Sequence, residues 1–287
     1  MSGDSHATPI PPDPPGIPAA SEFPPVTQQA IAEAVERLRE TGPLVQSITN
    51  IVVANFTANV LLAAGAAPAM IDNVHEAAGF AAIASGVLLN LGTPYDDTTA
   101  AMREAARSAH ENGTPWVLDP VGAGGLSWRT GIGRELLAEY RPTILRGNAS
   151  EILGLAGGAG GRGVDSTATS DDALEVGASL AREHGCVVAV SGETDVLADG
   201  TTTVRLANGV PMLTRVTGVG CALGSLMAAY ASVASPLVAA AAAHSHLNIA
   251  GEDAARASAG PGSFAVTLLD ALDNLTPTAV GERARIA

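Results

Sequence analysis

The chain alternates between short apolar runs and longer stretches in which apolar residues recur every three or four positions. The short runs are Leu44–Thr49, Ala67–Ile71, Val87–Leu91, Trp116–Val121, Thr143–Arg146 and Val187–Ser191, each the length of a strand. The helical period predicts helices over Gln28–Arg39, Val52–Ala63, Thr98–Asn112, Gly131–Glu139, Ser150–Leu155, Ser170–His184, Gly220–Ser232, Leu237–Ala257 and Ser263–Asn274. Strands that alternate with helices imply right-handed crossovers and a mostly parallel central sheet with helices on both faces. Val196–Asp199 and Thr202–Leu206 flank Asp199-Gly200, a hairpin signal, so an antiparallel edge should follow the parallel run. Met212–Val216 is a further short apolar segment. With no fixed-period repeat and no internal linker, residues 26–287 read as a single α/β domain. Residues 1–25, rich in Pro, Ser and Asp and without periodicity, read as a disordered tail.

In such sheets ligands bind beyond the carboxyl ends of the strands. Those ends carry Asn50, Asp119, Arg146-Gly147-Asn148 and Ser191-Gly192-Glu193. The most informative turn is Thr217-Gly218-Val219-Gly220-Cys221-Ala222-Leu223-Gly224-Ser225. Its glycines let the backbone turn sharply and approach a ligand. The free N–H groups of the helix that follows would face an anion. Leu223 stands where a dinucleotide fingerprint needs glycine, so that reading is discarded. Leu223, Leu226, Met227 and Tyr230 form a core stripe that anchors the helix. Taken alone the turn is equally a structural one. Cys221 opens this helix, and a helix N-terminus lowers a thiol pKa, so Cys221 is expected to accept a proton or polarise a substrate hydroxyl. Cys186, inside an apolar run, reads as a buried small hydrophobe.

Asp119, before Pro120, is either a turn cap or a carboxylate for Mg²⁺. Glu151 either satisfies a helix dipole or joins Asp119 in a Mg²⁺–phosphate site. Arg146 at an apolar strand end needs an anionic partner, a phosphate or a carboxylate. Asn50 sits at an expected N-cap, with Asn55 and Asn59 one turn apart beyond it. His244 and His246, two apart on a helix, do not share a face and are read as non-ligands.

Composition narrows the chemistry. Lys+Arg total 15 against Asp+Glu 29, a net charge of −14, which argues against nucleic-acid and anionic-membrane partners. The chain has no lysine, which excludes a P-loop lysine and a Schiff base. Two cysteines are too few for a disulfide framework and fit a reducing cytoplasm. Neither a membrane span nor a signal peptide is read in the sequence.

Together these segments resemble the hydroxyethylthiazole kinases. The matching pieces are Ser47-Ile48-Thr49-Asn50, Gly65-Ala66-Ala67-Pro68-Ala69-Met70, Trp116-Val117-Leu118-Asp119-Pro120-Val121, Arg146-Gly147-Asn148-Ala149-Ser150-Glu151-Ile152, Gly161-Arg162-Gly163-Val164-Asp165, Thr217-Gly218-Val219-Gly220-Cys221-Ala222 and Gly260-Pro261-Gly262-Ser263-Phe264. The resemblance implies a ribokinase-like fold and a homotrimer with active sites between subunits. It implies ATP with Mg²⁺, and 4-methyl-5-(2-hydroxyethyl)thiazole as acceptor. Carried over, Cys221 is the catalytic position, where the wider superfamily has an aspartate base. Met70, Gly218 and Asn50 fall on the substrate side, and Arg146 and Ser191 on the ATP side. Ser191 stands where the family usually has threonine. Asp119 and Glu151 match the Mg²⁺–phosphate carboxylates. The N–H groups of Gly218, Val219, Gly220 and Cys221 would form an anion hole.

Overall fold

The computed structural model describes residues 25–157 and 169–287. The N-terminal tail up to Pro24 and the segment Gly161–Asp165 lie outside the described residues.

One eight-stranded sheet runs through the molecule in the order β2-β1-β3-β4-β5-β6-β7-β8. Its strands are β1 (Leu44–Ile48), β2 (Ala67–Ala69), β3 (Gly86–Asn90), β4 (Trp116–Asp119), β5 (Ile144–Asn148), β6 (Val187–Ser191), β7 (Asp195–Ala198) and β8 (Thr203–Leu206). The first six are parallel, and β7 and β8 form the antiparallel hairpin expected at Asp199-Gly200. All six predicted parallel strands are present, and three of them, β1, β2 and β4, are a residue or two shorter than the apolar runs that signal them. Side-chain alternation sends each strand's residues to two separate cores. Val45, Leu88, Val117, Ile144, Val187 and Ala189 face one core. Ile48, Val87, Leu89, Trp116, Leu118, Leu145, Val188 and Val190 face the other. Burial on both faces is why these strands read as continuous apolar runs.

The first core is covered by α1 (Gln28–Thr41), α2 (Ala54–Ala64), α8 (Val219–Ala231), α9 (Pro236–Ala257) and α10 (Pro261–Asn274), with α11 (Pro277–Arg283) against α1. The second lies under α3 (Val74–Ala81), α4 (Asp96–Asn112), α5 (Ser127–Tyr140), α6 (Ala149–Leu155) and α7 (Leu174–His184). Helices α3 and α11 carry too few periodic positions to be read from sequence. Each is started by a side-chain cap, Asn73 Oδ1 on the His75 N–H and Thr276 Oγ1 on the Ala279 N–H. The apolar segment Met212–Val216 folds as a 3-10 turn over Pro211–Arg215.

Helix α8 is buried on every side from Ala222 to Tyr230, so Leu223, Leu226, Met227 and Tyr230 are part of a wholly enclosed helix. It packs across β1, β3 and β4. Tyr230 is tied to α9 by a hydrogen bond with His246 Nδ1 at 2.8 Å, and His246 Nε2 donates to the Leu272 carbonyl of α10 at 3.1 Å. His244 points elsewhere, its Nδ1 2.8 Å from Asp195 Oδ2. Among the described residues no helix is long and apolar enough to cross a membrane.

Candidate active site

Parallel pairing sets the site. In register Asn90 lies opposite Asp119, Leu118 opposite Leu145, and Asn148 opposite Ser191. The carboxyl ends of β3, β4, β5 and β6 therefore place Asn90, Asp119, Arg146 and Ser191 in one row. Asn50 reaches the row from the loop after β1, and Cys221 from the first turn of α8.

A single hydrogen-bonded chain runs along the row. Asn50 Nδ2 donates to Cys221 Sγ at 3.3 Å and to Asn90 Oδ1 at 3.2 Å. Asn90 Nδ2 donates to Asp119 Oδ2 at 2.6 Å. Arg146 Nη1 donates to the same oxygen at 3.1 Å, and Arg146 Nη2 donates to Ser191 Oγ at 3.0 Å. The amide orientation of Asn90 is fixed by its surroundings. The Gly92 N–H can only donate, and it donates to Asn90 Oδ1 at 2.9 Å. The nitrogen of Asn90 must then face the carboxylate.

Asp119 is wholly buried, and its second oxygen, Oδ1, has no partner. Burial pushes its carboxyl above the usual range against the pull of Arg146. Glu151 is also raised, first by burial and then by the negative charge of Asp119. Its two oxygens accept from the Gly122 N–H at 3.0 Å and the Asn148 N–H at 2.9 Å, and Asn148 Oδ1 accepts from the Glu151 N–H in a reciprocal cap. An orphaned, buried carboxylate oxygen beside a second carboxylate that it repels is a donor set for a hard divalent cation. Among the described residues no cluster of three or more His, Cys, Asp or Glu side chains forms a metal site, so substrate oxygens or water would complete the shell.

The glycine turn sits over this row. Gly218 holds φ 93°, ψ −9°, the left-handed region glycine adopts freely, and caps α8. A Cβ there would lie 2.7 Å from Val53 Cγ1. Gly220 faces Arg146, and a Cβ on it would sit 3.3 Å from Arg146 Nη1. The first intrahelical bond, from the Ala222 N–H to the Gly218 carbonyl, leaves the N–H groups of Val219, Gly220 and Cys221 as the open end of α8.

Two expectations are corrected. Asn50 is not an N-cap: α2 starts after Val53 with no side-chain cap, and Asn50 instead joins Cys221 to Asn90. The Cys221 thiol is not lowered but pushed up to about 11, by burial first and the Asp119 charge second. At neutral pH it keeps its proton. Asn59 Nδ2 donates to Asn55 across one turn, a local contact outside the row. Met70 lies just past β2 and half buried, and it makes no contact with the row that a hydrogen bond records. Cys186 is buried and its thiol is pushed up to about 12, as a buried small hydrophobe should be.

Asn90 is the residue that sequence reasoning missed. It ends an apolar strand, as Asp119 does, and that position was its signal.

A mostly parallel sheet with an antiparallel edge, carrying a buried arginine–carboxylate pair at its strand ends under a glycine-capped helix, has the ribokinase-like fold. A ribokinase-like superfamily protein from Enterococcus faecalis V583 superposes with a TM-score of 0.60 at 11% identity, covering 86% of this chain and 94% of that one. The hydroxyethylthiazole kinase family model matches residues 35–278, and the chain belongs to that family. The hydroxyethylthiazole kinase of Kineococcus radiotolerans is 58% identical over 258 residues, 89% of this chain and 94% of that relative. That of Cutibacterium acnes is 53% identical over 255 residues, 88% of this chain and 92% of that relative. The structure of the hydroxyethylthiazole kinase protein from Pyrococcus horikoshii superposes with a TM-score of 0.83 at 38% identity, covering 90% and 98% of the two chains.

Proposed function

We propose that this chain transfers the γ-phosphoryl group of ATP to the primary hydroxyl of 4-methyl-5-(2-hydroxyethyl)thiazole, giving the thiazole phosphate used for thiamine. The observation that carries the reading is the unbroken chain Cys221–Asn50–Asn90–Asp119–Arg146–Ser191 beneath the open end of α8. It sets an uncharged thiol and amide at one end and a buried arginine toward the other. The thiazole alcohol lies on the Asn50, Met70 and Gly218 side, and the phosphates lie toward Arg146 and Ser191.

The alcohol oxygen attacks the γ-phosphorus as the β,γ-bridging bond breaks. Its proton passes to a phosphoryl oxygen and on to water. Cys221, protonated at neutral pH, orients the alcohol and takes no proton beforehand. A loose phosphoryl-transfer transition state needs little base catalysis, so positioning and charge supply most of the acceleration. The N–H groups at Gly218–Cys221 and the Arg146 guanidinium face the charge that moves. Asp119 and Glu151 would hold Mg²⁺, which neutralises phosphate charge when bound.

A homotrimer with sites between subunits fits the same reading. Ile51 and Val52, 74% and 66% exposed directly after Asn50, are apolar side chains that a neighbouring copy would cover. The two free cysteines fit a reducing cytoplasm.

The test is to incubate the protein with ATP, Mg²⁺ and a panel of hydroxylated heterocycles and to weigh the products. The expected product is the phosphate of the thiazole alcohol. Its absence overturns the reading, and binding without product makes the protein a sensor.

A further inference from the structure

The turn between β6 and β7, Gly192–Thr194, follows directly on Ser191 and is held from below by side chains that the reaction does not use. Asp195 Oδ1 accepts from the Gly192 N–H at 3.0 Å. Asp195 Oδ2 accepts from Asn248 Nδ2 of α9 at 2.8 Å and lies 2.8 Å from His244 Nδ1, one turn earlier on α9. All three side chains are buried. The amide of Asn248 has one possible orientation. Its nitrogen faces the Asp195 carboxylate and the Asn208 carbonyl, the latter at 3.0 Å, and both can only accept. The far side of the turn is held as well, because Ser170 Oγ donates to the Thr194 carbonyl at 2.6 Å.

A solvent-facing turn does not need a buried carboxylate, a buried amide and a buried imidazole to close it. His244 lies close to the carboxylate without a hydrogen bond from either ring nitrogen, while the carboxylate and the amide are hydrogen-bonded to each other and to the backbone, which fixes one geometry for Asp195. What it fixes is the residue before it. Ser191 Oγ accepts from Arg146 Nη2, and Arg146 Nη1 continues to Asp119. Rigid contacts thus run from α9 through Asp195 to the Gly192 N–H, and from the adjoining Ser191 to the guanidinium.

We propose that Asp195, set in place by Asn248, is a positioning residue for the nucleotide end of the active site. It acts through Gly192 and Ser191 on Arg146 and touches no substrate. The proposal rests on Arg146 and Ser191 facing the nucleotide.

Asp195→Asn keeps the size of the side chain but gives it an amide that cannot accept from both Gly192 and Asn248. The milder Asn248→Ala removes one support and leaves Asp195 in place. Binding of a non-hydrolysable ATP analogue with Mg²⁺, and separately of the thiazole alcohol, is titrated calorimetrically for the wild type and both variants, along with the two KM values. The expected result is about tenfold weaker nucleotide binding and a matching rise in the KM for ATP, the effect of one lost hydrogen bond to a charged group. Thiazole affinity should stay within about twofold, because the Cys221–Asn50 end is on other elements.

Equal losses for both ligands, together with a fall in Tm, would make the cluster merely structural and overturn the proposal. Unchanged nucleotide affinity in both variants would also overturn it. If Asp195→Asn does not fold, Asn248→Ala alone decides. A wild type that binds the nucleotide but not the thiazole alcohol sinks the acceptor assignment and leaves the nucleotide comparison to decide Asp195. A wild type that does not bind the nucleotide sinks both.

Discussion

Alkylating Cys221 across a pH series separates two opposing influences on its thiol. The open end of α8 favours the thiolate, whereas burial and the Asp119 charge disfavour it and set the pKa at about 11. Against the ordinary thiol value of 9.0 this is a rise of two units. At pH 8 the thiolate fraction then falls from about one in ten to about one in a thousand, by the ordinary titration relation. A more basic thiolate is also a better nucleophile, by roughly six- to tenfold for two units at a Brønsted slope of about 0.4–0.5. The net expectation is iodoacetamide alkylation on the order of tenfold slower than a free thiol at pH 8. The rate should climb about tenfold per pH unit up to pH 10 without a plateau. Mass spectrometry of the Cys221 peptide separates it from Cys186, whose thiol is raised further still. Asp119→Asn removes the second cause of the rise and should speed alkylation at fixed pH. A plateau below pH 9, or no response to Asp119→Asn, would refute the reasoning and return Cys221 to the role of a ready base.

Four further outcomes follow from named contacts. Asn90→Ala leaves the Gly92 N–H and the Asp119 carboxylate each short of a buried partner, about 1–3 kcal/mol apiece, and urea unfolding should show a loss of that order; Asn90→Asp, which faces Asp119 with a second carboxylate, should lose more activity than Asn90→Ala. Gly220→Ala puts a methyl 3.3 Å from Arg146 Nη1, so kcat/KM should fall roughly 10–100-fold. Its Tm should move little, because alanine gains about 1 kcal/mol of helix propensity against the crowding; a large Tm loss with a proportionate activity loss would count against a local effect. Asp119→Asn should weaken the dependence of turnover on Mg²⁺, and an unchanged Mg²⁺ titration would remove Asp119 from that role. His246 is driven down from 6.5 to about 3 by burial, so below pH 6.5 the unfolded chain binds a proton that the folded chain refuses. Stability attributable to His246 is therefore present at pH 7 and shrinks as pH falls, by about 2 kcal/mol at pH 5. His246→Gln should flatten that part of the pH dependence of unfolding, and identical slopes would refute it.

The sheet was legible because its strands are buried on both faces. A strand such as Val187–Ser191 can then be nothing but apolar, and the helices between strands keep their own period. Short elements held by caps were not legible. Nothing in Val74–Ala81 repeats often enough to outweigh chance, and Asn73 has meaning as a cap only once the chain is folded. The site shows the same division more sharply. Asp119, Arg146 and Ser191 stand out because a polar residue closing an apolar strand needs a reason. Asn90 closes β3 in the same way, yet an asparagine carries no charge to demand a partner, and only the register with Asp119 reveals one. For Cys221 the local sequence misled. A helix start argues for a thiolate, but the surroundings supplied by β3, β4 and the loop after β1 enclose the sulfur and set a carboxylate near it. Local sequence reports the helix end, and burial is a property of the whole fold. At Cys221 burial is the largest of the effects on the thiol, and the thiol is raised. That ordering supports the proposed role of Cys221 as a contact that orients the alcohol, in which the acceleration falls to Arg146 and the open end of α8.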